Sequence, residues 1–353
     1  MHTDTLIIGG GLAGVYLASR LTELGQSFIL TEARDRLGGR IAAVQYAGGT
    51  FDMGPAWFWP GQPRIAKVIS DLELTRFDQF ALGDLMYEDE KGCPQRGQGF
   101  SSMQGSYRLD GGLIRLIDAL SAKIDASNLQ LSAPITALTR ADGFITATYR
   151  DGRTVTASRV VMAIPPRLAA QISFTPALPD HALQTMQNIP TWMAGHAKAV
   201  AIYDRPFWRD AGLSGDAMSR FGPMAEIHDA SPSQGGPFAL FGFLGVPPQA
   251  RADQKLLRQQ IIAQLTRIFG TNAGAPLQLT IKDWAYDPFT ATALDQQPLY
   301  AHPHYGLPAP LRGLWRDTLL FGGTEVAQEF GGYLEGALEA AENALDQLIR
   351  PQK

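Results

Sequence analysis

The chain has 353 residues, with 34 acidic against 30 basic side chains, a net charge of −4 and a pI near 5.9. That balance excludes the cationic surplus expected of a partner for nucleic acid or an anionic membrane. Cys93 is the only cysteine, which excludes an internal disulfide and a cysteine-rich metal site. Charged residues make up 18% of the chain and 37 residues are glycine, so a large interior with many close backbone approaches is expected, divided into two domains on the rule of about 150 residues each. Met1-His2-Thr3-Asp4 runs straight into an apolar segment, and no uncharged apolar run of about 18 residues follows anywhere. A cytoplasmic location without membrane contact is expected.

Thr5-Leu6-Ile7-Ile8 reads as a buried strand and runs into Gly9-Gly10-Gly11-Leu12-Ala13-Gly14, a G-x-G-x-x-G. Leu12, Val15, Leu17, Leu21 and Leu24 then give an amphipathic helix with Gly25 where it should end. Phe28-Ile29-Leu30 reads as a second strand, followed by Glu32 at about 20 residues beyond the middle glycine. This order is the dinucleotide-binding βαβ fingerprint. Gly9 allows the tight turn, Gly11 lets backbone approach a pyrophosphate, and Gly14 lets the helix pack on the strand. The helix N-terminus offers free N–H groups to phosphate, and Glu32 can accept from ribose hydroxyls.

Arg34-Asp35-Arg36-Leu37-Gly38-Gly39-Arg40 comes next. An acid followed by R-x-G-G-R resembles the flavin-containing amine oxidase family, in which this arginine meets the FAD pyrophosphate. The resemblance implies FAD, with Arg34, Gly39 and Arg40 among its contacts; a guanidinium fork suits phosphate oxygens. Phe51-Asp52-Met53-Gly54-Pro55-Ala56-Trp57-Phe58-Trp59 is similar to the family's D-x-G segment, which passes beside the flavin and places Gly54 and Pro55 there. Three aromatics in a row cannot all point inward on one strand, so Trp57 or Trp59 is expected to line a cavity.

Ile65, Val68, Ile69 and Leu72 repeat at helical spacing, and residues 75–106 form a polar, poorly periodic excursion into a second domain. Arg108-Leu109-Asp110-Gly111-Gly112-Leu113 is similar to the segment where the family's chain re-enters the FAD domain. Strands are predicted around Leu129, from Ile135 to Leu138, and on both sides of the Asp151-Gly152 turn. Ile135 matches the position whose backbone meets adenine in the family. Val160-Val161-Met162-Ala163-Ile164-Pro165-Pro166 resembles its V-x-A-x-P-P strand, and three short strands are expected to lie over the dinucleotide-binding sheet.

His196, Lys198 and Val200 alternate along a predicted strand, with Pro206-Phe207-Trp208 downstream. This resembles the family segment carrying the active-site lysine, which holds a water against flavin N5. A cation there stabilises developing negative charge. Residues 237–246 read as a core strand and Leu256 to Phe269 as a packing helix. Lys282-Asp283-Trp284 matches a K-x-W whose tryptophan lies against the flavin. His302-Pro303-His304 lacks a third nearby ligand, so no metal site is expected. Gly322-Gly323-Thr324-Glu325 and Gly332-Tyr333-Leu334-Glu335-Gly336-Ala337 closely resemble the family's strand and final helix. This implies cofactor contacts from Gly323, Glu325, Gly332 and Tyr333, with the helix N-terminus aimed at flavin N1–C2=O.

The fold implied is α/β: a Rossmann-like, glutathione-reductase-type FAD domain at 1–74, 105–170 and 312–353, with a discontinuous mixed α+β substrate domain at 75–104 and 171–311. Three departures from the family pattern bear on function. Residues 284–293 contain no cysteine, so FAD is expected to be noncovalent; Ala293 and Leu294 stand roughly where monoamine members place a second tyrosine. Tyr333 would then act alone or with Trp57. Trp57 also stands near the position of a carboxylate-binding arginine in L-amino acid oxidases, which favours a simple amine. The expected reaction is oxidation of a C–N bond of a small or medium amine, with Lys198, Tyr333 and Trp57 at the reacting centre and O2 as electron acceptor. A homodimer is compatible with the sequence. The alternatives are a desaturase or dehydrogenase acting on a C–C bond, and a flavin-binding protein without turnover.

Overall fold

The computed structural model describes residues 2–97, 99, 101–297, 299 and 301–350. In chain order β1 (His2–Ile8), α1 (Leu12–Glu23) and β2 (Phe28–Thr31) form the expected βαβ unit. A hairpin of β3 (Ala43–Tyr46) and β4 (Gly49–Asp52) leads to α2 (Pro63–Asp71). Next come β5 (Arg76–Asp78), β6 (Asp84–Glu88), β7 (Pro94–Gly97), β8 (Tyr107–Leu109) and α3 (Ile114–Ser121). Four strands follow: β9 (Leu129–Gln130), β10 (Ile135–Ala141), β11 (Phe144–Tyr149) and β12 (Thr154–Met162). The middle of the chain holds α4 (Pro166–Ala169), β13 (Ser173–Thr175), α5 (Asp180–Asn188), β14 (Ala197–Tyr203), α6 (Phe207–Asp210), β15 (Leu213–Ser219), β16 (Met224–Asp229) and β17 (Phe238–Leu244). The last elements are α7 (Gln254–Phe269), β18 (Gln278–Asp283), β19 (Leu319–Phe321) and α8 (Leu334–Ile349).

Two large sheets organise the described residues. The first runs β13-β10-β11-β12-β1-β2-β9, with β19 also beside β12. Its centre is parallel: β1 pairs with β12 from His2↔Thr156 to Ile8↔Met162, and with β2 on its other edge. Leu6 to Ile8 of β1 and Phe28 to Leu30 of β2 are apolar and buried, as expected at the centre of a parallel sheet covered on both faces. The β10–β11–β12 strands were expected as a layer over this sheet; instead β12 joins them to it edge to edge. The first half of β12 pairs with β11 and its last three residues with β19. Nine residues are long enough to serve both partners.

The second sheet runs β18-β14-β17-β16-β15-β6-β7. The excursion at 75–106 therefore supplies β6 and β7 to its edge. β14 is buried along its whole length because both faces are covered. Ala197, Ala199, Ala201 and Tyr203 pack towards α7, while Val200 and Ile202 meet Phe51, Trp57 and Phe241. The segment just beyond residue 170 packs with the first sheet. β13 belongs to the first sheet, and Ala182 and Met186 of α5 are buried in the same core as Leu138, Val160 and Phe321.

Packing of α1 on β1 is backbone on backbone. A Cβ on Gly14 would lie 1.9 Å from the Gly9 carbonyl oxygen, and Gly9 itself has φ +112°. Gly14→Ala must therefore push the helix off the strand. It is expected to destabilise the fold by about 1–3 kcal/mol and to weaken retention of any dinucleotide held at this turn. Urea unfolding and cofactor content of the purified variant check this.

Candidate active site

A cavity of ≈ 650 Å³ lies between the two sheets. Its wall takes Gly11, Leu12 and Ala13 from the first glycine turn, and Gly38, Arg40 and Ile41 from the second. Met53 to Trp57 and Trp59 come from the segment after β4, Lys198 and Phe243 from the second sheet, and Trp284, Gly323 to Glu325 and Gly332 to Leu334 from the C-terminal third. Eleven of the residues expected at the site are thus brought together: Gly11, Arg40, Gly54, Pro55, Trp57, Lys198, Trp284, Gly323, Glu325, Gly332 and Tyr333.

The two glycine turns interlock. Gly38 donates its N–H to the Gly10 carbonyl at 2.7 Å, and a Cβ on Gly39 (φ +56°) would lie 3.1 Å from Gly11 Cα. Glu32 ties them further: its carboxylate accepts from Gly10 N at 2.7 Å and Arg34 N at 2.8 Å. Gly9, Gly14 and Gly39 shape these turns without forming the wall. Gly11 differs, because a Cβ there would meet nothing of the protein within 4 Å. Its open side belongs to whatever occupies the cavity.

Arg34 does not reach the wall. Its guanidinium binds Asp287 and, at 2.8 Å, the Thr290 hydroxyl. Arg36, the first arginine of the R-x-G-G-R frame, grips the carbonyls of Leu37, Gly39 and Ile41 at 3.0–3.2 Å and so holds the loop in shape. The cation presented to the cavity is Arg40, with Nη2 2.7 Å from Glu325 Oε1. Glu325 is fully buried, and neither of its oxygens receives an aligned hydrogen bond among the described residues. Ile135 sits off the wall, on β10 where its pairing with β11 shifts register.

Helix termini give the cavity its polarity. The first N–H groups of α2 are satisfied by Glu335, which accepts from Arg64 N at 3.0 Å and Ile65 N at 2.8 Å. No side chain caps α1 at Gly11 or α8 at Tyr333, and both of those ends border the cavity. Uncapped helix N-termini favour negative charge. Two such termini, the open side of Gly11 and the Arg40–Glu325 pair, whose carboxylate receives no aligned hydrogen bond among the described residues, fit a long group carrying phosphates and hydroxyls.

Lys198 is 2% exposed. Its Nζ donates to the Gly54 carbonyl at 3.1 Å and lies 3.9 Å from the Phe241 ring centroid. Burial pulls its pKa down to about 7, against the opposing pull of the Asp52 carboxylate, with Arg108 adding to the depression. Asp52 is itself pushed up by burial and accepts from Leu113 N at 2.9 Å. Trp284 Nε1 donates to Met53 O at 3.1 Å, so two side chains of the second sheet hold the same short segment.

The aromatic wall is broader than the sequence indicated. Trp57 lies edge-on to His228 at 4.9 Å and donates to Gln79 at 2.7 Å. Trp59 meets Tyr333 edge-on at 6.2 Å, and His302 stacks on Tyr333 at 4.9 Å and 16°. Leu294 is exposed, and the second-tyrosine place it was assigned is off the cavity wall. Trp192, which the sequence did not single out, lines the cavity and contacts His302 at 5.0 Å. His196 lines it too, with its pKa lowered by burial and by Arg251. Arg251, also unexpected, is 1% exposed and pairs with Asp283 at 2.9 Å. Nothing local marks these residues, because their neighbours in space come from distant strands.

Comparison with known proteins settles the family. The profile described as flavin containing amine oxidoreductase matches residues 80–349, and that of an NAD(P)-binding Rossmann-like domain matches residues 7–72. The chain belongs to the flavin-containing amine oxidoreductases. It is 23% identical to putrescine oxidase of Kocuria rosea, aligned over 97% of this chain and 95% of that protein. Among solved structures it is similar to putrescine oxidase bound to putrescine, with TM-score 0.81 and 20% identity, covering 99% of this chain and 100% of that one. Cyclohexylamine oxidase from Brevibacterium oxydans gives TM-score 0.78 at 19% identity over 98% of both chains. At these identities the structural likeness speaks for the fold. No helix among the described residues is long and apolar enough to cross a membrane.

The depressed Lys198 predicts a pH signature for this amine oxidoreductase. Between the folded value of about 7 and an unfolded value of about 10.4, the unfolded chain holds a proton the folded chain has released. Stability therefore rises with pH across that window. Lys198→Met removes this slope, so the variant's stability relative to wild type should fall as pH rises from neutral to about 10. Urea midpoints across that range check it; a pH-independent difference contradicts a depressed lysine.

Proposed function

We propose that this protein oxidises the C–N bond of a small or medium amine with noncovalently bound FAD, releasing an imine that hydrolyses to a carbonyl compound. The observation that carries the reading is a buried lysine on the aromatic wall that also holds the uncapped end of α8. FAD, when bound, supplies a two-electron acceptor for the hydride leaving the amine carbon, with O2 as the terminal oxidant and hydrogen peroxide as its product.

The residues proposed to hold it are those around the two glycine turns, Arg40, Glu325 and the N-termini of α1 and α8, with Glu32 bracing the turns and Ile135 on the adenine side. Noncovalent attachment is supported by the absence of cysteine from 284–293 and by the exposed, remote position of Cys93. The FAD unit is assigned to 1–74, 105 to about 189 and 312–353, and the substrate unit to the remainder.

Trp57, Trp59, Trp192 and Tyr333 would hold the alkyl part of an amine and keep water from the reacting carbon. An apolar, π-rich wall accepts a neutral amine more readily than a fully solvated ammonium, so no side-chain base is required once the amine has lost its proton. Lys198 would position a water or hold a proton near neutrality, a reading supported by its hold on the Gly54 carbonyl and by a pKa that burial brings down to about 7.

Anaerobic addition of amines, polyamines or amino acids to the yellow protein is expected to bleach the oxidised-flavin band with amines. If none bleaches a flavin that dithionite reduces, C–C oxidation takes precedence. Lys198→Met is expected to slow either reduction or reoxidation by about 100-fold or more, the usual consequence of removing one electrostatic stabiliser. Acid precipitation should leave the yellow colour in the supernatant; a yellow pellet contradicts noncovalent binding.

A further inference from the structure

His302 and Tyr305 stand outside the cavity wall, yet they hold two residues of it, Tyr333 and Trp192. The His302 ring stacks on Tyr333, with centroids 4.9 Å apart and planes 16° from parallel, and its Nε2 donates to the Gly331 carbonyl at 2.9 Å. One side chain therefore grips both the tyrosine ring and the turn that carries it. Tyr305 secures the same turn. A Cβ on Gly331 would lie 2.3 Å from Tyr305 Cβ, and one on Gly332 (φ +84°) would lie 3.2 Å from His302 Nε2. The Tyr305 hydroxyl donates to Pro190 O at 2.8 Å and accepts from Trp192 N at 3.0 Å. Trp192 then meets the His302 ring edge-on at 5.0 Å.

This clamp leaves Tyr333 one usable face. An alkyl chain between two parallel rings needs a separation of about 7 Å, twice an ordinary carbon–carbon contact; the 4.9 Å between His302 and Tyr333 leaves no such slot. His302 is exposed and off the wall, whereas Tyr333 is on it, so the covered face is the one turned from the cavity. Among the described residues no hydrogen bond reaches the Tyr333 hydroxyl. The plane of its ring therefore rests on packing: a parallel contact with His302 and an edge contact with Trp59 at 6.2 Å.

We propose that His302 is a positioning residue for the amine reaction: by stacking on the outer face of Tyr333 it fixes the plane of that ring and so sets how wide a substrate the aromatic wall admits. This rests on the amine-oxidation reading above. With the stack in place, a straight alkyl chain lies along the free tyrosine face. Without it, the ring can tip outward and make room for a ring or branch at the carbon bearing nitrogen. A histidine serving the surface alone predicts a loss of stability with no change in selectivity.

The test uses the FAD-loaded enzyme and compares kcat/KM for its best straight-chain amine with that for the cycloalkylamine of equal carbon number. His302→Ala is expected to move this ratio about tenfold towards the cyclic amine, the scale of one aromatic pair, with the straight chain losing chiefly through KM. His302→Phe keeps the stack and should hold the ratio within about threefold of wild type. His302→Gln keeps a donor for Gly331 without a ring, and should behave as His302→Ala does. FAD content and melting temperature of each variant report folding. An unchanged ratio in His302→Ala, or a shift in His302→Phe as large as that in His302→Ala, overturns the assignment while amine oxidation stands. If no amine bleaches the flavin, the amine reading fails and this assignment falls with it.

Discussion

The hydrogen bond from Lys198 Nζ to the Gly54 carbonyl joins the two halves of this protein at the point where chemistry is expected. Lys198 stands on a strand of the second sheet, and Gly54 belongs to the loop that leaves the β3–β4 hairpin. On its other side, a Cβ at Gly54 would lie 1.9 Å from the Arg40 carbonyl. Trp284, one residue beyond β18, reaches the neighbouring Met53 carbonyl. The 53–54 segment is therefore clamped between the cofactor-side loop and two side chains of the substrate-side sheet. Moving any one of the three changes the cavity that the others define.

Buried carboxylates do the complementary work of closing backbone gaps. Glu335 satisfies the start of α2, and Glu339 accepts from the N–H groups of Gln328, Glu329 and Phe330 before α8. Asp287 collects Arg34, Lys282 and the Phe289 N–H. Each would be expensive to bury unpaired, and each ties two distant stretches of chain. The consequence for the site is one of selection. Helix α2 has its positive end neutralised inside the protein, while α1 and α8 keep theirs directed at the cavity.

The cavity wall is consequently two-sided in character. One side is backbone amide, arginine and the buried Glu325, suited to phosphates and hydroxyls. The other is tryptophan, tyrosine and phenylalanine, interrupted by Lys198 near the junction. That gradient from polar to aromatic is what a large cofactor and a small, partly apolar substrate require of a shared pocket.

Much of the first sheet was legible in the sequence, for a local reason. The glycine turn, its helix and Glu32 are a contiguous motif in which each residue's role follows from its immediate neighbours. The same holds for Gly323 to Ala337, where the strand, turn and helix adjoin. Lys198 and Trp284 could be read because short flanking patterns mark them. Spacing could not show that Arg34 turns to Asp287, some 250 residues away, or that Arg36 is occupied by the loop's own carbonyls. Nor could it show that β12 serves two neighbours, or that α5 packs into the core of the first sheet. Trp192 and Arg251 belong to the wall, and His302 stacks behind it, only because segments distant in the chain lie side by side. The sequence alone determined the cofactor-side fold and singled out Lys198 on its strand, since local backbone geometry and contiguous motifs specify them. Tertiary packing decided which charges are paired and which face the cavity, because the partner of each charge is chosen by strand register and burial rather than by its neighbours in the chain.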